Sequence, residues 1–342
     1  MHPALPPLPR LSLAQLPTPA MPLRRLLPAL LPGAPVPELW VKRDDLTGAA
    51  LSGNKVRKLE LLLAEAVARG ADTVITCGGL QSNHCRATAL AAAQLGLRSV
   101  LLLRTADPTA PPPLEGNVLL DRLAGAELRL VSPAQYRDRA SLLSALRQEL
   151  AQAGRSAYLI PEGGSNALGA LAYARCVAEL QAQLPPGPWT LCCAVGSGGT
   201  LAGLLLGVAL AGLPWRVVGF AVCDDRAHFV RIVGELLDEI ARRFQLPQAA
   251  ELARRQDAIE LRDHSVGRGY ALSRPQELAV LRDACRLEGL VLDPVYTGKA
   301  LHGLVEELRQ DPASLGPRLL FVHTGGLFGL FPRGAELAPL LD

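Results

Sequence analysis

Apolar residues fall into two alternating rhythms along the chain. Short unbroken runs rich in valine, leucine, isoleucine and alanine occupy 39–42, 73–77, 99–103, 127–130, 157–160, 190–195, 216–222 and 319–323, each the length of one strand. Between them the apolar positions recur at helical spacing over 55–69, 83–95, 116–124, 138–153, 167–183, 199–211, 226–243, 275–288 and 299–310. Strands that are apolar throughout are buried on both faces, so this alternation predicts an α/β protein with open, twisted, mainly parallel sheets covered by helices. The strand and helix units from about 58 to 165 read as one layer system and their neighbours as another. A smaller domain at 58–165 inserted into a larger one of 1–57 and 166–342 follows, with the active site in the cleft between them.

Two stretches break the rhythm. Prolines crowd residues 1–37, which would interrupt the helical core of a signal peptide, and this part reads as an irregular arm lying on the body. Residues 201–215 are the longest apolar run, but glycines break it and it falls short of the roughly 18 to 20 residues of a membrane span, so it reads as a buried helix. With 342 residues, 49% of them hydrophobic, the chain can bury a large core. A net charge of +3, with the arginines scattered, argues against nucleic acid as a partner. Seven cysteines without Cys-x-x-Cys pairs read as free thiols in a reducing cytoplasm, and the six histidines show no metal-ligand spacing, so no metal is expected.

The candidate chemistry sits where strands end. After the 39–42 strand, Ser52-Gly53-Asn54-Lys55-Val56-Arg57-Lys58 carries Lys55 to the first turn of a helix. Such a lysine is a solvated cation, a phosphate partner, or an amine that forms a Schiff base with a carbonyl cofactor. Gln81-Ser82-Asn83-His84 opens the next helix, either as an ordinary N-cap or as a seat for a carboxylate on free backbone N–H groups. Gly196-Ser197-Gly198-Gly199-Thr200 follows the 190–195 strand. It lacks the third glycine of a dinucleotide fingerprint and the lysine of a Walker loop, yet its backbone N–H groups can converge on a single phosphate; the alternative is a tight structural turn. No Gly-x-Ser-x-Gly nucleophile elbow is present around Ser82 or Ser197. Asp293-Pro294-Val295-Tyr296-Thr297-Gly298-Lys299 and His323-Thr324-Gly325-Gly326 complete the set, each also explicable as a turn. Taken together, a lysine at a corner, a one-phosphate cup and a carboxylate seat fit pyridoxal 5'-phosphate and an amino acid better than ATP or NAD.

In this combination and order the motifs closely resemble the D-cysteine desulfhydrase and 1-aminocyclopropane-1-carboxylate (ACC) deaminase family, over residues from about 12 to 333. The resemblance implies the tryptophan synthase β-like fold, PLP fold type II, a small amino-acid substrate and a homodimer. It implies Lys55 as the Schiff-base lysine and the base for the α-proton, and Asn83 on the cofactor 3-hydroxyl. Gly196, Ser197, Gly198, Gly199 and Thr200 would hold the phosphate, with Lys58 nearby. Ser82, Asn83 and His84 would bind the substrate carboxylate, and Tyr296 and Tyr270, in Gly267-Arg268-Gly269-Tyr270, match the active-site tyrosines. ACC deaminases of this pattern carry Glu after the second tyrosine and Leu before the final Gly-Gly; here Thr297 and Thr324 stand there as expected cofactor contacts. A neutral partner makes the pyridine ring a weaker electron sink, which favours elimination of a good β-leaving group over ring opening. Conversion of D-cysteine to pyruvate, hydrogen sulfide and ammonia is therefore expected. ACC, L-cysteate and D-serine are the alternative substrates, and cofactor binding without turnover is the non-enzymatic one.

Overall fold

The computed structural model describes residues 5–341, so the first four residues of the expected arm and larger domain, and residue 342, lie outside it. Ten strands form two sheets. The first holds β1 (Ala20–Leu23), β2 (Glu38–Arg43), β7 (Thr190–Val195), β8 (Arg216–Ala221), β9 (Glu260–Arg262) and β10 (Arg318–His323), in the order β1-β2-β10-β7-β8-β9. The second holds β3 (Thr73–Gly79), β4 (Arg98–Arg104), β5 (Glu127–Val131) and β6 (Ala157–Leu159), in the order β5-β4-β3-β6. All pairs except β1–β2 are parallel. Strand β7, Thr-Leu-Cys-Cys-Ala-Val, is buried at every residue, as a central strand covered on both faces must be.

Each of the eight strands read from the apolar runs is present; two others escape that reading. β1 lies inside the proline-rich arm, pairing Ala20 with Lys42 and Pro22 with Trp40, and Leu26–Leu30 follows as a short helix with Leu26 and Leu27 buried. The arm is therefore partly ordered rather than irregular. A proline is tolerated there because β1 is an edge strand with one side free of partners. β9, Glu-Leu-Arg, is too short and too polar to register as an apolar run, and the helix Pro247–Arg254 was likewise not expected. The apolar run at 201–215 begins within the buried helix Gly199–Ala211, and no described helix is long and apolar enough to cross a membrane. All seven cysteines are free, five of them buried.

The main core is continuous across the two sheets. Leu59, Leu62, Val74 and Ala91 belong to the same apolar cluster as Leu171, Leu180, Leu191 and Leu206. The helices Asn54–Ala68 and Ala167–Gln183 fill the space between the sheets.

A polar cluster interrupts this core beneath the start of the Asn54–Ala68 helix. Asp44 Oδ1 accepts from Thr18 Oγ1 (2.7 Å) and Arg57 Nη2 (2.7 Å), and Oδ2 accepts from Arg57 Nε (2.8 Å) and the Tyr173 hydroxyl (2.5 Å). Arg57 also reaches Glu179 at 2.7 Å, and Glu179 receives Lys42 at 3.0 Å. Burial raises the proton affinity of Asp44, but the Arg57 charge and the hydrogen bonds from Arg57, Tyr173 and Thr18 outweigh it, holding the carboxyl below the usual range. Its stabilisation is thus complete above the ordinary carboxylate pKa and fades as pH falls toward the lowered value. Asp44→Ala would leave Glu179 as the only carboxylate on Arg57 and orphan the buried Arg57 Nε–H and Tyr173 hydroxyl. It should destabilise the protein by about 3–5 kcal/mol, read as a melting temperature roughly 5–10 °C lower in calorimetry; an unchanged melting temperature would refute the role.

Candidate active site

The C-terminal ends of β3, β7 and β10 converge on one cavity of about 720 Å³, lined by Lys55, Ser82, Asn83 and His84, by Gly196–Gly198 and Thr200, and by Tyr270, Tyr296 and Thr324. Ligands of open α/β sheets bind at this edge, where strands hand over to helix N-termini.

Lys55 reaches the cavity because two backbones meet without side chains. Gly53, at φ 93°, caps the lysine helix, and Asn54 N–H donates to the Thr324 carbonyl at 3.0 Å. A Cβ on Gly325 would stand 2.8 Å from Gly53 Cα, so a side chain there would drive the two turns apart. Asn54 Nδ2 donates to Thr200 Oγ1 at 3.2 Å, joining the lysine corner to the glycine turn, and Lys55 Nζ donates to Asn54 Oδ1 at 3.1 Å. Burial lowers the Lys55 amine to about 8, with the Asp293 carboxylate pulling partly the other way.

Lys58 lies one turn on, buried behind the glycine turn. Its ammonium donates to the Gly163 carbonyl and to Ser165 Oγ, both at 3.1 Å, and no carboxylate pairs with it among the described residues. Burial and then the neighbouring Lys55 charge push it well below its ordinary value. Ser165 Oγ and Ser197 Oγ are 2.8 Å apart, and a Cβ on Gly199 would sit 2.6 Å from Ser165 Oγ and 3.0 Å from Lys58 Nζ. A buried, unneutralised ammonium beside two hydroxyls and the N-terminus of the Gly199–Ala211 helix is a donor set that fits a phosphate. With a low-pKa amine close by, the residues present fit pyridoxal 5'-phosphate.

Ser82 is the N-cap of the Asn83–Gln94 helix, its hydroxyl accepting from Cys85 N–H at 3.2 Å while it also faces the cavity. The N-cap reading therefore holds, and the same side chain lines the cavity. Asn83 Oδ1 accepts from Asn117 Nδ2 at 3.1 Å. His84 Nε2 is 2.8 Å from Thr76 Oγ1, which donates its own proton to the Ile160 carbonyl. Thr76 must therefore accept from His84, which places the ring proton on Nε2 and leaves Nδ1 a bare acceptor, buried and unpartnered. Burial, and then the Lys55 and Lys58 charges, keep the ring neutral. A neutral ring with a bare Nδ1 offers an anion no donor; His84 contributes its backbone N–H to the helix N-terminus instead.

Tyr270 and Tyr296 share a hydroxyl contact of 3.0 Å with rings edge to face. Burial pushes the Tyr270 hydroxyl up to about 12, opposed by its Tyr296 hydrogen bond and by Arg104. Tyr296 is raised by burial and then by Tyr270. Both hydroxyls are therefore neutral donors near neutral pH.

Three expected residues stand off the cavity wall. Lys58 and Gly199 back it from behind. Thr297 is fully buried, and its hydroxyl donates to Asp293 Oδ1 at 2.6 Å. Asp293 also takes the backbone N–H groups of Val295, Tyr296 and Thr297, so Thr297 serves the turn that presents Tyr296. Only Thr324 of the two threonines faces the cavity.

The wall also includes Arg104, Tyr136, Glu162, Ser165, Asp224 and His228, none of which was expected. Ser165 was readable in principle, since Pro161-Glu162-Gly163-Gly164-Ser165 repeats the pattern of strand end, glycines and helix start. Arg104 closes β4 and was readable as a polar strand-end residue; His228 had no local signal.

Comparison with known proteins identifies relatives of the whole chain. The chain is 45% identical over 340 residues to the mitochondrial bifunctional D-cysteine desulfhydrase/1-aminocyclopropane-1-carboxylate deaminase of Arabidopsis thaliana, covering 96% of this chain and 81% of that protein. It is 38% identical to the D-cysteine desulfhydrase of Klebsiella pneumoniae, covering 94% and 95% of the two chains. A crystal structure described as an ACC deaminase homologue superposes with a TM-score of 0.85 at 38% identity over 100% of both chains. The description of the pyridoxal-phosphate dependent enzymes matches residues 11–325, and on that match and these relatives the chain belongs to the pyridoxal-phosphate dependent enzyme family.

Proposed function

We propose that the chain is a lyase that breaks D-cysteine into pyruvate, hydrogen sulfide and ammonia. The observation that carries this reading is the Lys55 amine, held in the cavity with its pKa lowered to about 8, between a phosphate-fitting turn and a helix N-terminus. The names of the relatives from Arabidopsis and Klebsiella support the choice of substrate.

Pyridoxal 5'-phosphate, when bound, supplies an aldehyde carbon that condenses with amines and a ring that draws electron density from the α-carbon. In this reading Gly196, Ser197, Gly198, Gly199 and Thr200 hold the phosphate, with Lys58 and Ser165 behind them. Asn83 serves the 3-hydroxyl and Thr324 the ring nitrogen. Ser82 and the backbone N–H groups of Asn83 and His84 seat the substrate carboxylate. Lys55 takes the α-proton. The Cα–H electron pair becomes the Cα=Cβ bond and the Cβ–S pair leaves on sulfur as hydrosulfide. Tyr270 and Tyr296 stand ready as neutral hydroxyl donors.

ACC deamination is the second reading, favoured by the bifunctional name of the Arabidopsis relative and by the burial of Thr297 against Asp293. A residue turned away from the cavity acts on ring chemistry only at one remove, so Thr324 bears most of the discrimination. The proposal extends to a homodimer in the cytoplasm and to residues 58–165 as a smaller domain inserted into 1–57 and 166–342. The apolar cluster shared between the two sheets would limit how far they move apart.

Purified, PLP-loaded protein assayed in parallel with D-cysteine, L-cysteine, ACC, L-cysteate and D-serine should release sulfide and pyruvate from D-cysteine; 2-oxobutanoate from ACC instead would establish the second reading. Lys55→Ala should lose the yellow cofactor band and lower turnover by roughly a thousandfold or more. In the cofactor-free protein the Lys55 amine is deprotonated to roughly a tenth at pH 7, against roughly one part in three thousand for an ordinary lysine. Its acylation by acetic anhydride, followed by peptide mass spectrometry, should rise about tenfold per pH unit and level off above about 8; a rise continuing to pH 10 would contradict the lowered pKa.

A further inference from the structure

Arg104 ends β4 half-buried on the cavity wall, its guanidinium 5.0 Å from the Tyr270 ring centroid and 5.1 Å from that of Tyr136. A guanidinium has five N–H donors and always carries its charge. Among the described residues none of the donors of Arg104 finds an acceptor and no carboxylate pairs with it. The nearby acid is already taken, since Glu162 accepts from the Tyr136 hydroxyl at 2.9 Å and pairs with Arg139 at 2.9 Å. The wall carries Lys55, Arg104, Arg137 and Arg139 against the carboxylates of Glu162 and Asp224, so it is positive before any ligand enters.

The free cation also has a defined place. A Cβ on Gly79 would lie 3.6 Å from the Tyr270 hydroxyl and 4.0 Å from Arg104 Nη2, so a side chain there would approach both groups. Gly78 and Gly79 lead directly to Ser82 and the Asn83–Gln94 helix, and the opening between them, Tyr270 and Arg104 adjoins the proposed carboxylate seat. A stacked guanidinium keeps its position at little entropic cost, and in a half-buried site its charge is poorly screened.

We propose that Arg104, with the Tyr270 hydroxyl, forms a second anion subsite that receives the β-substituent, selecting amino acids whose β-group is, or leaves as, an anion. This rests on the lyase reading and names its substrate class: a β-thiol, sulfonate or carboxylate in preference to a neutral amide or alkyl group. When the Cβ–S bond breaks, both electrons stay on sulfur and the hydrosulfide carries one negative charge toward Arg104, while the α-proton has gone to Lys55. Arg104 thus stabilises charge where it develops.

Aspartate and asparagine test the subsite without turnover, being nearly isosteric, different in charge and without a good leaving group. Both enantiomers of each are titrated into the PLP-loaded enzyme, with binding read from the change in cofactor absorbance. The wild type should bind the preferred aspartate about tenfold more tightly than the matching asparagine, as one well-placed charge pair gives. Arg104→Met should remove the preference and Arg104→Lys should keep most of it, with melting temperatures confirming folded variants. A merely structural arginine would not move this ratio. Equal binding in the wild type, a preference that survives Arg104→Met, or failure of all four ligands to bind overturns the subsite. Sulfide release from D-cysteine, measured in the same preparation, tests the lyase reading separately, since its absence would sink that reading whatever the aspartate ratio.

Discussion

Asp44 and Arg57 form a buried ion pair directly beneath the turn that carries Lys55, and the placing of the site follows from it. A charge pair taken from water into a core is favourable only when every lone pair and proton is used. Here Thr18, Tyr173, Glu179 and Lys42 complete the set. The pair ties the end of β2, the second half-turn of the lysine helix and the Ala167–Gln183 helix together at fixed angles. With that base held, Gly53 can lie against Gly325 and the amine two residues on projects into the cavity rather than into solvent. The charged residues after the Trp40 strand are thus the foundation of the site rather than part of its chemistry.

The site keeps uncompensated positive charge in two places. Behind the wall, burial and the Lys55 charge lower the proton affinity of Lys58, and burial together with both lysine charges keeps His84 neutral, a conflict that an anionic group relieves. On the wall itself, Arg104 is held between aromatic rings with its donors free. Such arrangements cost folding stability and persist where a ligand supplies the missing charge, which is why function and strain coincide in this cavity. The neutral tyrosine pair offers hydroxyls without adding a third charge.

The cavity edge also explains why so few residues carry more than one duty. Ser82 caps a helix and faces the cavity because an N-cap side chain lies where the helix's free N–H groups point. Thr297, one residue beyond Tyr296, has no such freedom: its hydroxyl closes a ring with Asp293 that shapes the turn, and it cannot also reach into the cavity.

Because a strand buried on both faces must be apolar throughout, the apolar runs by themselves determined the α/β architecture, the mainly parallel pairing and eight of the strands, though not their order in the sheets. Lys55, Ser82, Asn83, the 196–200 turn, Tyr296 and Thr324 were legible too, since each sits at a strand end or helix start that local chemistry marks. β1 and β9 were not, because an edge strand is made by its neighbour's free hydrogen-bonding groups and leaves little pattern of its own. Only the tertiary structure decided that Thr297 turns inward to Asp293, that Lys58 lies behind the glycine turn, and that Tyr136 and Glu162 join the wall. Those are matters of which side chains from distant segments compete for the same partners, and a linear pattern holds no record of that competition.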